Sequence, residues 1–199
     1  MAGGGRAEAG FPDLGEASNV MLFAPTGAER VSCFDPLERA DVGETHVLVV
    51  SYTRRPAAVI EAWETQIGTR PATAGVVTVG QPERGDESQP WAVSRVGSPG
   101  DLTGTGIELS ERISAVADDA GADEGIVVCF DSVTELLEHA DVQRVFRFLH
   151  VLTGRVRNAG ARCYYRFDPD SHDERAIATL RSLFDATVER GDDGWTVER

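Results

Sequence analysis

The residues best placed to do chemistry are Asp131 and Ser132, which close the run Gly125-Ile-Val-Val-Cys-Phe-Asp-Ser-Val133. The run is apolar and β-branched, follows the turn signals Ala120-Gly121-Ala122-Asp123, and leads at once into a helical pattern. Such a stretch predicts a buried parallel strand. In open α/β sheets ligands sit beyond the carboxyl ends of the strands, so an Asp carried there is in position for chemistry. The alternative is structural: the same Asp caps the helix that follows. The stretch by itself supports both readings equally.

Composition removes whole mechanisms. The chain has 199 residues, enough for one domain with a substantial core. It carries 33 acidic and 19 basic residues for a formal net charge of −14, and every basic residue is Arg. Without Lys there is no Schiff-base amine, no Ser-Lys dyad and no phosphate-loop Lys. Dense surface carboxylate suits solubility in molar salt and opposes phosphate binding, which leans on positive patches. Cys33, Cys129 and Cys163 are odd in number and widely spaced, which argues against a disulfide framework or a paired-Cys metal site. Cys129 and Cys163 lie in apolar runs and read as reduced core residues. His46, His139, His150 and His172 lack zinc-site spacing. No Gly-x-Ser-x-Gly elbow is present, and Ser132 has no His nearby in sequence, so a hydrolase triad is disfavoured. No stretch reaches the length of a membrane span and the N-terminus lacks an apolar signal core, so a soluble, cytoplasmic protein is expected.

The elements that must position Asp131 follow from periodicity. Residues 1–18, rich in Gly and Ala, read as a loose leader, and 19–199 as a single domain. Strands are expected at Asn19–Ala24, His46–Tyr52, Gly75–Val79, Gly125–Asp131 and Arg162–Phe167. Helices are expected at Glu29–Ala40 (short, interrupted near Pro36), from Pro56 to Gly68, at Ser110–Ala120, through Glu135–Leu137 and at Val142–Asn158. Residues 80–100 read as a long polar loop. Gly104-Thr-Gly106 is a weak dinucleotide-like match, better read as the way into a helix. Ser171-His-Asp-Glu174 reads as a capping box, and the tail as a hairpin of 186–190 with 195–199. Five strand–helix alternations and a closing hairpin predict a three-layer α/β/α sandwich with a mainly parallel sheet.

This order resembles the RecA/KaiC-like branch of the P-loop NTPases, above all the short KaiC-like proteins of halophilic archaea. Ile126-Val-Val-Cys-Phe-Asp-Ser-Val133 is similar to that family's Walker B strand, whose Asp helps hold Mg²⁺. Asp101-Leu-Thr-Gly-Thr-Gly-Ile107 ahead of a helix and the closing hairpin also fit it, and the resemblance runs from Asn19 to Arg199. A working member carries a Gly-rich phosphate loop after the first strand. Here the corresponding stretch is Ala24-Pro-Thr-Gly-Ala-Glu-Arg-Val31. Gly27 keeps its place, but Glu29 replaces a Gly, Arg30 the Lys and Val31 the metal-ligating hydroxyl. Arg30 is bulkier than a compact ammonium, and Val31 cannot ligate a metal. The family's catalytic Glu pair would follow the second strand, where this chain reads Thr53-Arg54.

The resemblance therefore implies a fold that has lost ATP hydrolysis, with Pro25, Thr26, Gly27, Arg30, Asp131 and Ser132 as a degenerate nucleotide site. No catalytic residue, resident metal or cofactor is expected; ATP with Mg²⁺ belongs to an alternative, a weakly hydrolysing ATPase. A regulatory module with a protein partner is the first expectation, with signalling or gene regulation as its setting, and a homo-oligomer stays open. A nucleic-acid role rests on Arg144, Arg147, Arg155, Arg157, Arg162 and Arg166, a stretch with no acidic residue between Asp141 and Asp168. The plainer reading, favoured about two to one, pairs these arginines with carboxylates elsewhere on the fold.

Overall fold

Asp131 can be placed only by a sheet, and a parallel sheet needs a crossover for each strand. The computed structural model describes residues 10–25, 31–81, 91–191 and 194–199. The strands are β1 (Asn19–Phe23), β2 (Thr45–Ser51), β3 (Thr73–Val79), β4 (Ala92–Val96), β5 (Gly125–Asp131), β6 (Arg162–Phe167), β7 (Ala186–Gly191) and β8 (Gly194–Glu198). The helices are α1 (Pro56–Gln66), α2 (Leu102–Asp119), α3 (Val133–His139), α4 (Val142–Asn158) and α5 (Glu174–Arg181). One eight-stranded sheet runs β4-β3-β2-β5-β6-β1-β7-β8. Every pair is parallel except the closing hairpin of β7 and β8. The expected α/β sandwich with its C-terminal hairpin is the observed architecture.

Alternation along the strands sorts side chains to two cores. Leu48, Val50, Val128, Phe130, Cys163 and Tyr165 face α2–α5, where the α4 stripe Val145, Leu149, Leu152 and Val156 is buried. Burying each of those four is worth roughly 1.5–3 kcal/mol. Val47, Val49, Cys129 and Tyr164 face the other way, against Val59, Ile60 and Trp63 of α1 and against Phe34, Leu37 and Val42. All three cysteines are buried and unbridged.

Four expectations are corrected. The residues after β1 form no α-helix among those described: 3₁₀ turns at Asp35–Leu37 and Val42–Glu44 stand in its place. Pro36 brings no N–H, and the Asp35 carboxylate takes the Ser32 N–H (3.0 Å), so the chain turns instead of winding. Within the expected loop lies β4, paired to β3 alone; an edge strand needs little apolar patterning and reads as loop. Helix α2 begins at Leu102, eight residues before the expected start. The Asp101 side chain caps it through the Gly104 N–H (2.8 Å), and buried Leu102 and Thr105 outweigh the poor helix propensity of Gly104 and Gly106. Ser171 is not a helix cap. It lies in a 3₁₀ turn with its hydroxyl donating to Asp168 (2.7 Å), and Asp173 caps α5.

The segment ahead of β1 is tied to the sheet. Leu14 is buried, Phe11 packs edge-on against Tyr164 and Trp195, and the Ser18 and Asn19 N–H groups donate to the Asp185 carboxylate at 3.0 and 2.8 Å. Burial works to raise the Asp185 pKa, but the Arg157 guanidinium (2.7 Å) and those amides outweigh it and hold the carboxyl below its usual value. A depressed folded-state pKa adds stability above the ordinary carboxylate range and loses it as pH falls through the depressed value. Asp185→Asn is expected to cost about 1–2 kcal/mol at neutral pH. Melts at neutral and strongly acidic pH check this, since the gap to the parent should close in acid.

Candidate functional site

Crossovers from β2 and β5 leave on opposite faces: α1 packs on the Val47–Val49 side, and α3 and α4 on the Leu48–Val50 side. Such a divergence opens a crevice at the carboxyl edge, where ligands of open α/β sheets bind. Ser51 and Asp131 are register partners at that edge, and the Tyr52 N–H donates to the Asp131 carbonyl at 2.9 Å. Asp131 thus stands where the sequence placed it.

Its carboxylate is already engaged. Arg166, projecting from the neighbouring strand β6, donates through Nη1 to Asp131 Oδ1 at 3.0 Å. The Asp131 side chain is 8% exposed and that of Arg166 26%. Arg166 Nε is buried and has no partner among the described residues. Ser132, joined to Asp131 by a cis peptide, caps α3 by accepting the Glu135 N–H at 3.2 Å. The capping role foreseen for Asp131 belongs to its neighbour. Ser51 Oγ accepts the Arg54 N–H at 2.9 Å, which places Arg54 beside the same edge.

Around this pair the crevice closes to a cavity of about 20 Å³, lined among others by Val31, Phe34, Arg54, Asp131 and Arg166. That volume admits about one water, whereas ligand pockets run to roughly 300–1,000 Å³. Val31 is buried and presents only methyl groups to it. Pro25 lies two residues past β1, which is separated from β5 by β6, so the two strand ends stand about 10 Å apart at ordinary strand spacing. Thr26, Gly27 and Arg30 lie outside the described residues. The structure therefore brings Asp131 and Ser132 together, leaves Pro25 two strands away, and adds Arg166 and Arg54. The charge reversal along 142–167 had singled out Arg166, but nothing in the sequence paired it with Asp131; its position on the strand beside β5, at the same edge, does.

The rest of that arginine stretch divides. Arg157 pairs with Asp185, and Arg162 donates to the carbonyls of Ala17 (2.8 Å) and Gly15. Arg144, Arg147 and Arg155 instead line an open groove between α2 and α4. Among the described residues no cluster of three His, Cys, Asp or Glu is placed to hold a metal, and no helix is long and apolar enough to cross a membrane.

The fold is shared with solved structures of low identity. A Pyrococcus horikoshii OT3 protein from a structural study superposes with a TM-score of 0.58 at 9% identity, covering 92% of this chain and 86% of its own. An uncharacterized Pyrococcus horikoshii protein, solved in complex with an unknown peptide, gives 0.57 at 12%, covering 92% and 82%. An ATPase from the type III secretion system of pathogenic bacteria gives 0.51 at 13%, covering 88% of this chain and 51% of the ATPase. At such identities the likeness is one of fold, here a RecA-like one. No curated protein matches the chain. A family model does match it, over residues 17–190, and the chain belongs to that family, the family of unknown function DUF7504.

Proposed function

We propose that this chain is a non-catalytic RecA/KaiC-like domain, a pseudo-ATPase kept as a regulatory or protein-interaction module of the cytoplasm. The observation that carries the reading is the Asp131–Arg166 pair: the carboxylate at the metal-holding place of the fold faces a guanidinium of its own chain. A small cavity and the absence of an α-helix among the described residues between β1 and β2 support it. A helix N-terminus supplies the amides and dipole that hold phosphate, and 3₁₀ turns offer neither in that array. Pro25, Thr26, Gly27, Arg30, Asp131 and Ser132 are then the remains of a nucleotide site. The peptide held by the Pyrococcus horikoshii neighbour gives a protein segment as the natural class of ligand to seek.

Calorimetric titration with ATP and Mg²⁺ in molar KCl tests this. No heat is expected at high protein concentration. Micromolar binding would sink the pseudo-ATPase reading in favour of an ATP-binding domain that uses Arg30 and Asp131 in altered geometry.

A further inference from the structure

We propose that the groove between α2 and α4 docks an amphipathic helix of a partner protein, its apolar stripe flanked by carboxylates. The inference rests on the interaction-module reading and names for it a surface and a partner chemistry. Helical spacing builds the groove. On α4, Arg144, Phe148, Val151 and Arg155 stand at i, i+4, i+7 and i+11, on one face. On α2, Thr103, Gly106, Ile107 and Ser110 face them. The result is an open trough of about 600 Å³ with an apolar floor. From Arg144 to Arg155 it runs about 17 Å, three turns of a docked helix.

The apolar surface here is unpartnered. The large hydrophobics left exposed among the described residues are Ile107 (56%), Val151 (60%) and Val197 (36%), and the first two stand on this trough. Gly106 lies against the Phe148 ring at the floor: a Cβ there would make ordinary contact with it at 3.6 Å.

Charge selects the occupant. Arg144, Arg147 and Arg155 are exposed, and their side chains make no ion pair or hydrogen bond within the described structure, in a chain of net charge −14. Glu111 is the one acidic residue on the lining. Guanidiniums flanking an apolar floor complement carboxylates flanking an apolar stripe, the helix-in-groove mode of recognition. A second copy docking isologously would set the same arginines against each other. Single-stranded nucleic acid is held by exposed aromatic platforms, whereas Phe148 is 9% exposed and the open floor is aliphatic.

The test uses the full chain and two labelled peptides of about five helical turns, with Leu at i, i+3/i+4 and i+7. One carries Glu on both flanks and its twin carries Lys. Fluorescence anisotropy in dilute salt should show the Glu peptide binding about tenfold or more tighter than the Lys twin. Val151→Asp should weaken it at least about tenfold, and the double variant R144E/R147E should reverse the preference. Both sites are exposed, so the variants should melt with the parent. In molar KCl the preference should shrink while binding persists, because the apolar contact is not screened. Absence of binding at millimolar protein, equal binding of the twins, or indifference to Val151→Asp would overturn the proposal. So would an oligonucleotide that outcompetes the peptide and loses affinity steeply with salt, or a dimer abolished by Val151→Asp. Nucleotide calorimetry reports separately: ATP binding with peptide binding intact would overturn the pseudo-ATPase reading and leave the groove standing.

Discussion

Replacing Arg166 with alanine is expected to lower stability by about 3–5 kcal/mol, because it strands the buried Asp131 carboxylate without a counter-charge. For a chain of this size that is a fall in Tm of roughly 6–20 °C. The cost lies in the orphaned charge more than in any attraction lost. The double replacement Asp131→Leu with Arg166→Met removes both charges at similar volume and should return most of the loss. Urea unfolding of parent, single and double variants measures the coupling. The same variants separate a structural pair from a masked metal site. If Asp131 were a metal ligand held in reserve, Arg166→Ala would leave stability nearly unchanged and create Mg²⁺ affinity readable by calorimetry. With Val31 in the lining and the Ser32 hydroxyl already accepting the Phe34 N–H at 3.1 Å, no such affinity is expected.

The sheet was legible wherever strands are buried on both faces, since β1, β2 and β5 carry long apolar runs and the centre of β6, Cys163-Tyr-Tyr165, is apolar and buried between its two arginines. The edge strand β4 was not, because Ala92-Val-Ser-Arg-Val96 pairs on one side and faces solvent on the other. Helix α4 announced itself through its stripe, whereas the first two turns of α2 hid behind two glycines that a local scale counts against a helix. Asp131 could be placed at the carboxyl edge from its run alone. Its engagement with Arg166 could not, since 35 positions separate the partners and only strand order makes them neighbours. The expectation that 24–31 departs from a phosphate loop rests on the resemblance, and residues 26–30 lie outside those described. That the described residues beyond β1, from 31 on, form 3₁₀ turns and no α-helix depends on Pro36 and on Asp35 bonding its own turn.

The thinner face of the sheet is where a core truncation should cost most. Where α2–α5 cover one side, α1 and the 3₁₀ turns cover the other, and Trp63 is their common anchor. It is 2% exposed, packs edge-on against Phe34 (5.2 Å) and Trp91 (5.4 Å), and donates its indole N–H to the Thr69 carbonyl at 2.9 Å. Trp63→Ala is expected to cost about 3–5 kcal/mol, the range for emptying a large aromatic site. Trp63→Phe keeps most of the packing and loses the hydrogen bond, at about 0.5–1.5 kcal/mol plus a smaller cavity. Chemical denaturation gives both values, and amide exchange gives the distribution. Protection should fall first in β4, whose flanking Trp91 leans on Trp63, and in the 33–42 segment, while β5 and α4 keep theirs. Uniform loss across the sheet would instead mean that the two cores unfold as one unit. The turns after β1 would then be as firmly held as the strands.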